Sequence, residues 1–238
     1  MSQKQVIQII QETDDWVVIN KPPFVPSLPE RGKYTAEPVM EWSRKRWPDS
    51  ILCHRIDRET SGALLIAKNA ETFRHIAIQF EKRTIFKRYH AIADGRVQFD
   101  NLEVDLPINT EIIGKIRIDR VFGKPAQTTF NTIKEYRHFT LISCIPRTGR
   151  LHQIRVHLAS QNAKIAGDTL YRSTIPTLST IKRKVSGEDT ALISRFALHA
   201  RELTFQNLSG NTINVVAEYP KDFAVFLKLL EKYDLIEG

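Results

Sequence analysis

The stretch HRIDRETSGALLIAK, residues 54–68, decides how this chain is built. Its second half, from residue 63 on, is a continuous apolar run of buried-strand length. Its first half sets one carboxylate, Asp57, between Arg55 and Arg58, with Glu59 beside it and Thr60-Ser61-Gly62 turning into the run. A carboxylate flanked by arginines is ordinarily a surface ion pair. Position argues otherwise here, because the chain is about to enter its core. A nearby arginine keeps a desolvated aspartate ionised, and an ionised, partly desolvated aspartate is a usable nucleophile.

Upstream, residues 16–20 form a short apolar strand that runs into NKPPFVPSLPERG, where Pro22, Pro23, Pro26 and Pro29 forbid a helix and predict an extended loop. Val39, Trp42 and Arg46 at helical spacing predict a helix over 35–47, ended by Pro48. Downstream, residues 71–83 read as an amphipathic helix with Phe73, Ile76, Ala77 and Phe80 on one face. Strands follow at 88–95 (RYHAIADG), 128–136 and 138–146 (HFTLISCIP). In RTGRLHQIRVHLAS, residues 147–160, Gly149 marks a turn, and Leu151, Ile154 and Leu158 predict a helix starting just after it. Residues 172–195 are polar and basic and read as a long surface loop. FALHARELTF and NTINVVAEYP predict a hairpin turning at 207–211. The last helix is expected over 221–237, with Phe223, Phe226, Leu227 and Leu230 inward. Strands outnumber helices without a clean βαβα alternation. The fold class is therefore α+β (mixed α/β) on a mainly antiparallel or mixed sheet, not a doubly wound fold. No linker divides the 238 residues, so a single domain, 1–238, is expected.

The formal charge is +8, which fits a polyanionic partner such as RNA or DNA. Two cysteines, Cys53 and Cys144, cannot form a disulfide framework or a zinc site and read as buried thiols in a reducing compartment. No signal-peptide core appears, nor any run of about 18 apolar residues, so a cytoplasmic protein is expected. Phosphate-loop, dinucleotide-binding, nucleophile-elbow and metal-ligand motifs are all missing.

Two more stretches bear on chemistry. RTGRLHQIRVH sets Arg147, Arg150, His152, Arg155 and His157 close together, with His152 and Arg155 on adjacent helical turns. This is either a solvated basic face or a phosphate-binding turn leading into a helix. In FKRYHAIADG, Tyr89 follows Lys87 and Arg88. It is either core filler with its hydroxyl reaching outward or a stacking surface for an unpaired base. Spacing alone leads to a basic, RNA-binding domain or an aspartate enzyme.

Three separated stretches in this order, HRIDRETSGALLIAK, FEKRTIFKRYHAIADG and RTGRLHQIRVHLASQNAKIAGDTLY, resemble the signature motifs of the RluA family of pseudouridine synthases. VVINKPPFVP and FALHARELTF resemble two weaker motifs of that family, and together the five cover most of residues 16–205. The resemblance implies a long, bent, mainly antiparallel sheet with flanking helices. It implies isomerisation of a uridine in structured RNA, rRNA or tRNA, to pseudouridine, with no cofactor and no metal. Asp57 matches the catalytic aspartate, Tyr89 the active-site tyrosine packed on the target base, and Arg155 the arginine that pairs with the aspartate. Arg55 matches the residue that fills the gap left by the extruded base, and Leu198 an apolar residue lining the base pocket. With Arg147, Arg150 and His152 these form the expected substrate-binding set. The resemblance also implies a catalytic domain without a separate N-terminal RNA-binding domain. The expected partner is RNA, not a membrane, and the chain is expected to act as a monomer. Two rival readings are a catalytically silent RNA-binding protein of the same fold and an unrelated aspartate hydrolase using Glu59 as its second acid.

Overall fold

A computed structural model describes residues 6–29, 36–111, 116–185 and 187–236. In chain order its elements are β1 (Gln8–Glu12), β2 (Trp16–Lys21), α1 (Val39–Arg44), β3 (Ile51–Leu52), β4 (Ser61–Ala67), α2 (Ala70–Glu81), β5 (Phe86–Asp94), β6 (Leu102–Asp105), β7 (Ile108–Asn109) and β8 (Arg117–Ile118). They continue with β9 (Gln127–Glu135), β10 (Phe139–Pro146), α3 (Gln153–Ser160), a 3₁₀ turn (Thr169–Tyr171), α4 (Leu178–Ile181), β11 (Leu198–Gln206), β12 (Thr212–Val216) and α5 (Lys221–Tyr233). The chain divides into two compact units, residues 1–87 with 199–220 and residues 88–198 with 221–238.

In the first unit β4 is the central strand. It pairs antiparallel with β2 and β3 and parallel with β11, and β11 continues antiparallel into β12. All seven β4 residues are buried, because apolar clusters cover both of its faces. One face packs Val18 and Leu65 against Ile76 of α2 and Phe205, and the other packs Val17, Ile19, Leu64 and Ile66 against Val39. Gly62 sits at the parallel contact, opposite Ala200, with φ +117°. A Cβ there would overlap the Ala200 carbonyl, so only glycine lets β11 come this close. Asn69 starts α2 by accepting a hydrogen bond from the Thr72 backbone N–H.

In the second unit β5, β10, β9 and β6 form an antiparallel run, with Tyr89 of β5 in register with Cys144 of β10. Helix α5 buries Phe223, Phe226 and Leu230, and Phe226 meets Phe139 edge-on at 5.3 Å. The β7–β8 ribbon stands apart from this run and rests on Val156 of α3. The α+β class and the mainly antiparallel pairing agree with the sequence reading.

Four expectations need correction. The last helix, expected over 221–237, ends at Tyr233 with Leu227 only half-buried; residues 234–236 are not helical and 237 lies outside the described set. The helix predicted over 35–47 is the shorter α1, because Pro38 occupies its N-cap; residues 30–35 lie outside the described set. The inner face of α2 is Thr72, Ile76 and Gln79, while Phe73, Ala77 and Phe80 are half-buried. Gln79 turns inward because its amide bonds both the N–H and the C=O of Gln206. Within 172–195, read as surface loop, α4 forms and Ile181, Leu192, Ile193 and Arg195 are buried; residue 186 lies outside the described set.

Candidate active site

Asp57 lies in the loop that leads into β4 and is half-buried, between exposed Arg55 and half-buried Arg58. The backbone is clamped on both sides of it. Ser27 donates its hydroxyl to the Ile56 carbonyl at 2.8 Å and accepts the Ile56 N–H at 3.3 Å. The Lys21 ammonium, fully buried, donates to the carbonyls of Arg58 (2.9 Å), Val25 (2.8 Å) and Pro22 (3.0 Å). A buried ammonium is tolerated only when its donors are met, and these carbonyls tie the proline-rich loop to the aspartate loop. The Thr60 N–H closes a turn onto the Asp57 carbonyl at 3.0 Å. Arg58 and Glu59 approach each other at 3.6 Å.

His54 begins this loop. Its Nε2 accepts the Leu65 N–H at 3.1 Å, and its ring lies 5.2 Å from that of Phe80. Burial first, then the Lys87 charge, pushes its pKa down to about 3, so the ring is a neutral acceptor. Burial lowers Lys87 itself to about 8 and raises the Cys53 thiol to about 12. Cys53 is thus an inert thiol, as is buried Cys144.

In the second unit the arginine-rich turn is shaped by Gln153. Its Oε1 accepts from the Thr148 hydroxyl (2.7 Å) and the Arg150 N–H (3.0 Å), and its Nε2 donates to the Gln127 carbonyl (2.9 Å) and Thr128 Oγ1 (3.0 Å). The chain from Thr128 continues to His157, whose Nε2 donates to the Leu106 carbonyl at 2.9 Å. His157 Nδ1 therefore accepts from Thr128, and burial keeps this histidine below its ordinary pKa. Arg155 is buried too. Its Nε and Nη2 each reach one carboxylate oxygen of Asp168 at 2.7 Å, a bidentate pair. Its guanidinium lies 4.1 Å from the Phe196 ring centroid and 5.1 Å from that of Tyr171.

The five basic side chains of this stretch thus separate. Arg147 is exposed and Arg150 half-buried, its Nε donating to the Pro125 carbonyl at 3.2 Å. His152 is not on the helix proper. It caps α3 with φ 56°, its Nδ1 at 3.0 Å from the Tyr171 hydroxyl. Arg155 and His157 face inward and are no part of a solvated face.

Tyr89, on β5, is half-buried. Leu198 is buried at the start of β11. Sequence reasoning missed the arginine that holds Leu198. Arg195, with its side chain fully buried, pairs with Asp222 at 2.7 Å and donates to the carbonyls of Phe196 and Leu198 at 3.2 Å each. It also missed Lys21, Ser27, Gln153 and Asp168. Among the described residues, no group of three or more His, Cys, Asp or Glu side chains is arranged to hold a metal ion, and no helix is long and apolar enough to cross a membrane.

Comparison with known proteins points the same way. Residues 15–160 match the family described as RNA pseudouridylate synthase. The chain is 32% identical over 232 residues to ribosomal large subunit pseudouridine synthase D of Neisseria meningitidis serogroup A, covering 94% of this chain and 61% of that protein. It is 31% identical over 207 residues to the dual-specificity RNA pseudouridine synthase RluA of Vibrio vulnificus, covering 83% and 77%. It thus spans about three fifths of the length of the first of these relatives. Among solved structures, Human RNA Pseudouridylate Synthase Domain Containing 4 superposes with a TM-score of 0.71 at 24% identity, over 94% of this chain and 93% of that one, which supports the fold. The motif-bearing segments, the match over residues 15–160 and the identity to these relatives agree: the chain belongs to the RluA family of RNA pseudouridine synthases.

Proposed function

We propose that this chain isomerises a uridine in rRNA or tRNA to pseudouridine, acting as a monomeric cytoplasmic catalytic domain over residues 1–238. The observation that carries the reading is the double clamp around Asp57. A solvated charge run needs no buried lysine and serine holding the carbonyls on either side of it. A reacting carboxylate does, because misplacement of about 1 Å can cost on the order of a hundredfold in rate.

The reaction balances within the substrate. The N1–C1′ bond breaks, the detached uracil turns, C5 bonds to C1′, C5 loses a proton and N1 gains one. It therefore needs neither cofactor nor metal. Asp57 supplies the anion, as nucleophile at the sugar or the ring or as base on a sugar proton. The target must leave its stack first, and Arg55, exposed and planar, takes the vacated place. Tyr89 packs on the flipped base and Leu198 forms an aliphatic wall. The resemblance gives Arg155 the role of partner to the catalytic aspartate, and Asp168 fixes the direction of its guanidinium. Arg147, Arg150 and His152 take up phosphates.

Relatives are named for large-subunit rRNA and for dual specificity, which supports RNA as the substrate class. The test is Asp57→Asn on unmodified rRNA and tRNA transcripts. Pseudouridine formation is expected to vanish while RNA binding persists. Substantial turnover by the variant would overturn the assignment, and mapping pseudouridines in cells with and without the protein identifies the target.

A further inference from the structure

The loop joining β8 to β9 carries an apolar tip that folding does not explain. Val121 is 79% exposed and Phe122 78% exposed, side by side. Leaving a valine and a phenylalanine in water forfeits the gain of burying their apolar surface. Yet the loop is built to hold them out. Asp119 Oδ1 accepts the N–H groups of both Val121 and Phe122 at 3.0 Å, and Oδ2 accepts from Asn109 Nδ2 at 3.1 Å. The Asp119 N–H donates to the Pro107 carbonyl, and its carbonyl accepts from Gly123, each at 2.9 Å. A Cβ on Gly123 would overlap that same carbonyl, so the turn demands glycine. Below the tip, Ile108 and Ala126 are packed on Val156 of α3. A side chain presented this way loses little entropy on binding.

The surroundings select the partner. Arg117, Arg120 and Lys124 are exposed around the tip, while the Asp119 carboxylate is spent inside its own turn. Glu111 pairs with Lys124 at 3.1 Å. Three residues past the tip, the Pro125 carbonyl takes Arg150 of the arginine-rich turn. Just before β8, the Ile116 carbonyl takes the Tyr171 hydroxyl, which also meets His152. The tip therefore continues the surface assigned above to phosphates.

We infer that Phe122, with Val121 beside it, is a preformed stacking finger that binds an unpaired base or exposed base pair of the RNA substrate outside the position of the target uridine. Base–aromatic stacking is worth about 1–3 kcal/mol by alanine substitution and tolerates any base, so the finger adds affinity rather than a sequence code. The inference rests on the RNA-modifying reading.

The test uses filter binding of unmodified large-subunit rRNA and tRNA transcripts to the full chain. Phe122→Ala is expected to weaken binding about fivefold to a hundredfold with the salt dependence unchanged, because no phosphate contact is lost. Phe122→Trp is expected to restore affinity, and its added indole to be quenched by the RNA beyond the quenching of the native tryptophans. The same loss is expected in an Asp57→Asn background, where chemistry is silent. Wild-type affinity in Phe122→Ala overturns this inference alone. So does a loss that Phe122→Trp does not restore, with thermal melts of both variants as in the wild type. Failure of the wild-type chain to bind either RNA overturns the RNA reading together with it.

Discussion

His54 opens the aspartate loop, and its neutral ring is part of how that loop is fixed to β4. Its pKa falls from 6.5 in the unfolded chain to about 3 in the folded one. The unfolded state therefore binds its proton first. Stability from this group is fully present above pH 6.5 and is lost as pH falls toward 3, by about 1.4 kcal/mol per pH unit. At pH 5 the expected loss is about 2 kcal/mol. His54→Gln keeps an acceptor for the Leu65 N–H and removes the titration. Urea midpoints measured from pH 7.5 to 4.5 are expected to fall more steeply for the wild type than for this variant; parallel curves would show that His54 is free to protonate in the fold. Lys21 offers the complementary lesson in a single side chain. Val17, Ile19 and Lys21 share one face of β2 by strand alternation, and Val17 and Ile19 lie in the core cluster on that face. The inward direction of Lys21 was thus readable, whereas the three carbonyls that receive it come from loops whose course the sequence does not dictate.

Helix α3 shows where reading elements from sequence succeeds and where it stops. Its start after the Gly149 turn was legible from the spacing of Ile154 and Leu158. So were β2, β4, β5, the β9 and β10 pair, the β11–β12 hairpin and α5, because each is a long periodic run ended by a turn signal. The α3 surface was misread, since residues from Gln153 to Leu158 are all buried and a helix covered all round shows no polar face. Its polar residues, Gln153, Arg155 and His157, are each satisfied by a partner distant in sequence, and no local pattern encodes that. The short elements β1, β3 and β6 to β8 were missed for the opposite reason: with so few residues their pairing is decided by tertiary context. Asp168 carries a prediction at this scale. It holds two donors of a buried guanidinium, so Asp168→Ala breaks a buried, bidentate ion pair. A loss of about 3–5 kcal/mol is expected in chemical denaturation. Replacing Arg155 as well, with methionine, is expected to recover part of it, and strict additivity of the two losses would mean that they do not form one unit.

Across the whole molecule the charge of +8 is distributed by role. Some cations are interior fixtures, such as Lys21, Arg155 and Arg195, and these contribute positions more than field. Others, among them Arg55, Arg117, Arg120 and Arg147, are exposed and free to meet phosphates or bases. Net charge therefore overstates the RNA contact count, and salt dependence separates the two classes. An exposed arginine that neutralises one phosphate contributes about 0.7–0.9 to the slope of log affinity against log salt. Arg147 sits at the turn, where the backbone bond of its N–H to the Gln127 carbonyl survives removal of the side chain. Arg147→Ala is expected to leave stability within about 0.5 kcal/mol. It is also expected to reduce the magnitude of the salt slope for rRNA binding by about one. Filter binding between low and physiological salt measures both affinity and slope. An unchanged slope would place Arg147 outside the RNA footprint, leaving Arg150 and His152 as the phosphate contacts of that turn.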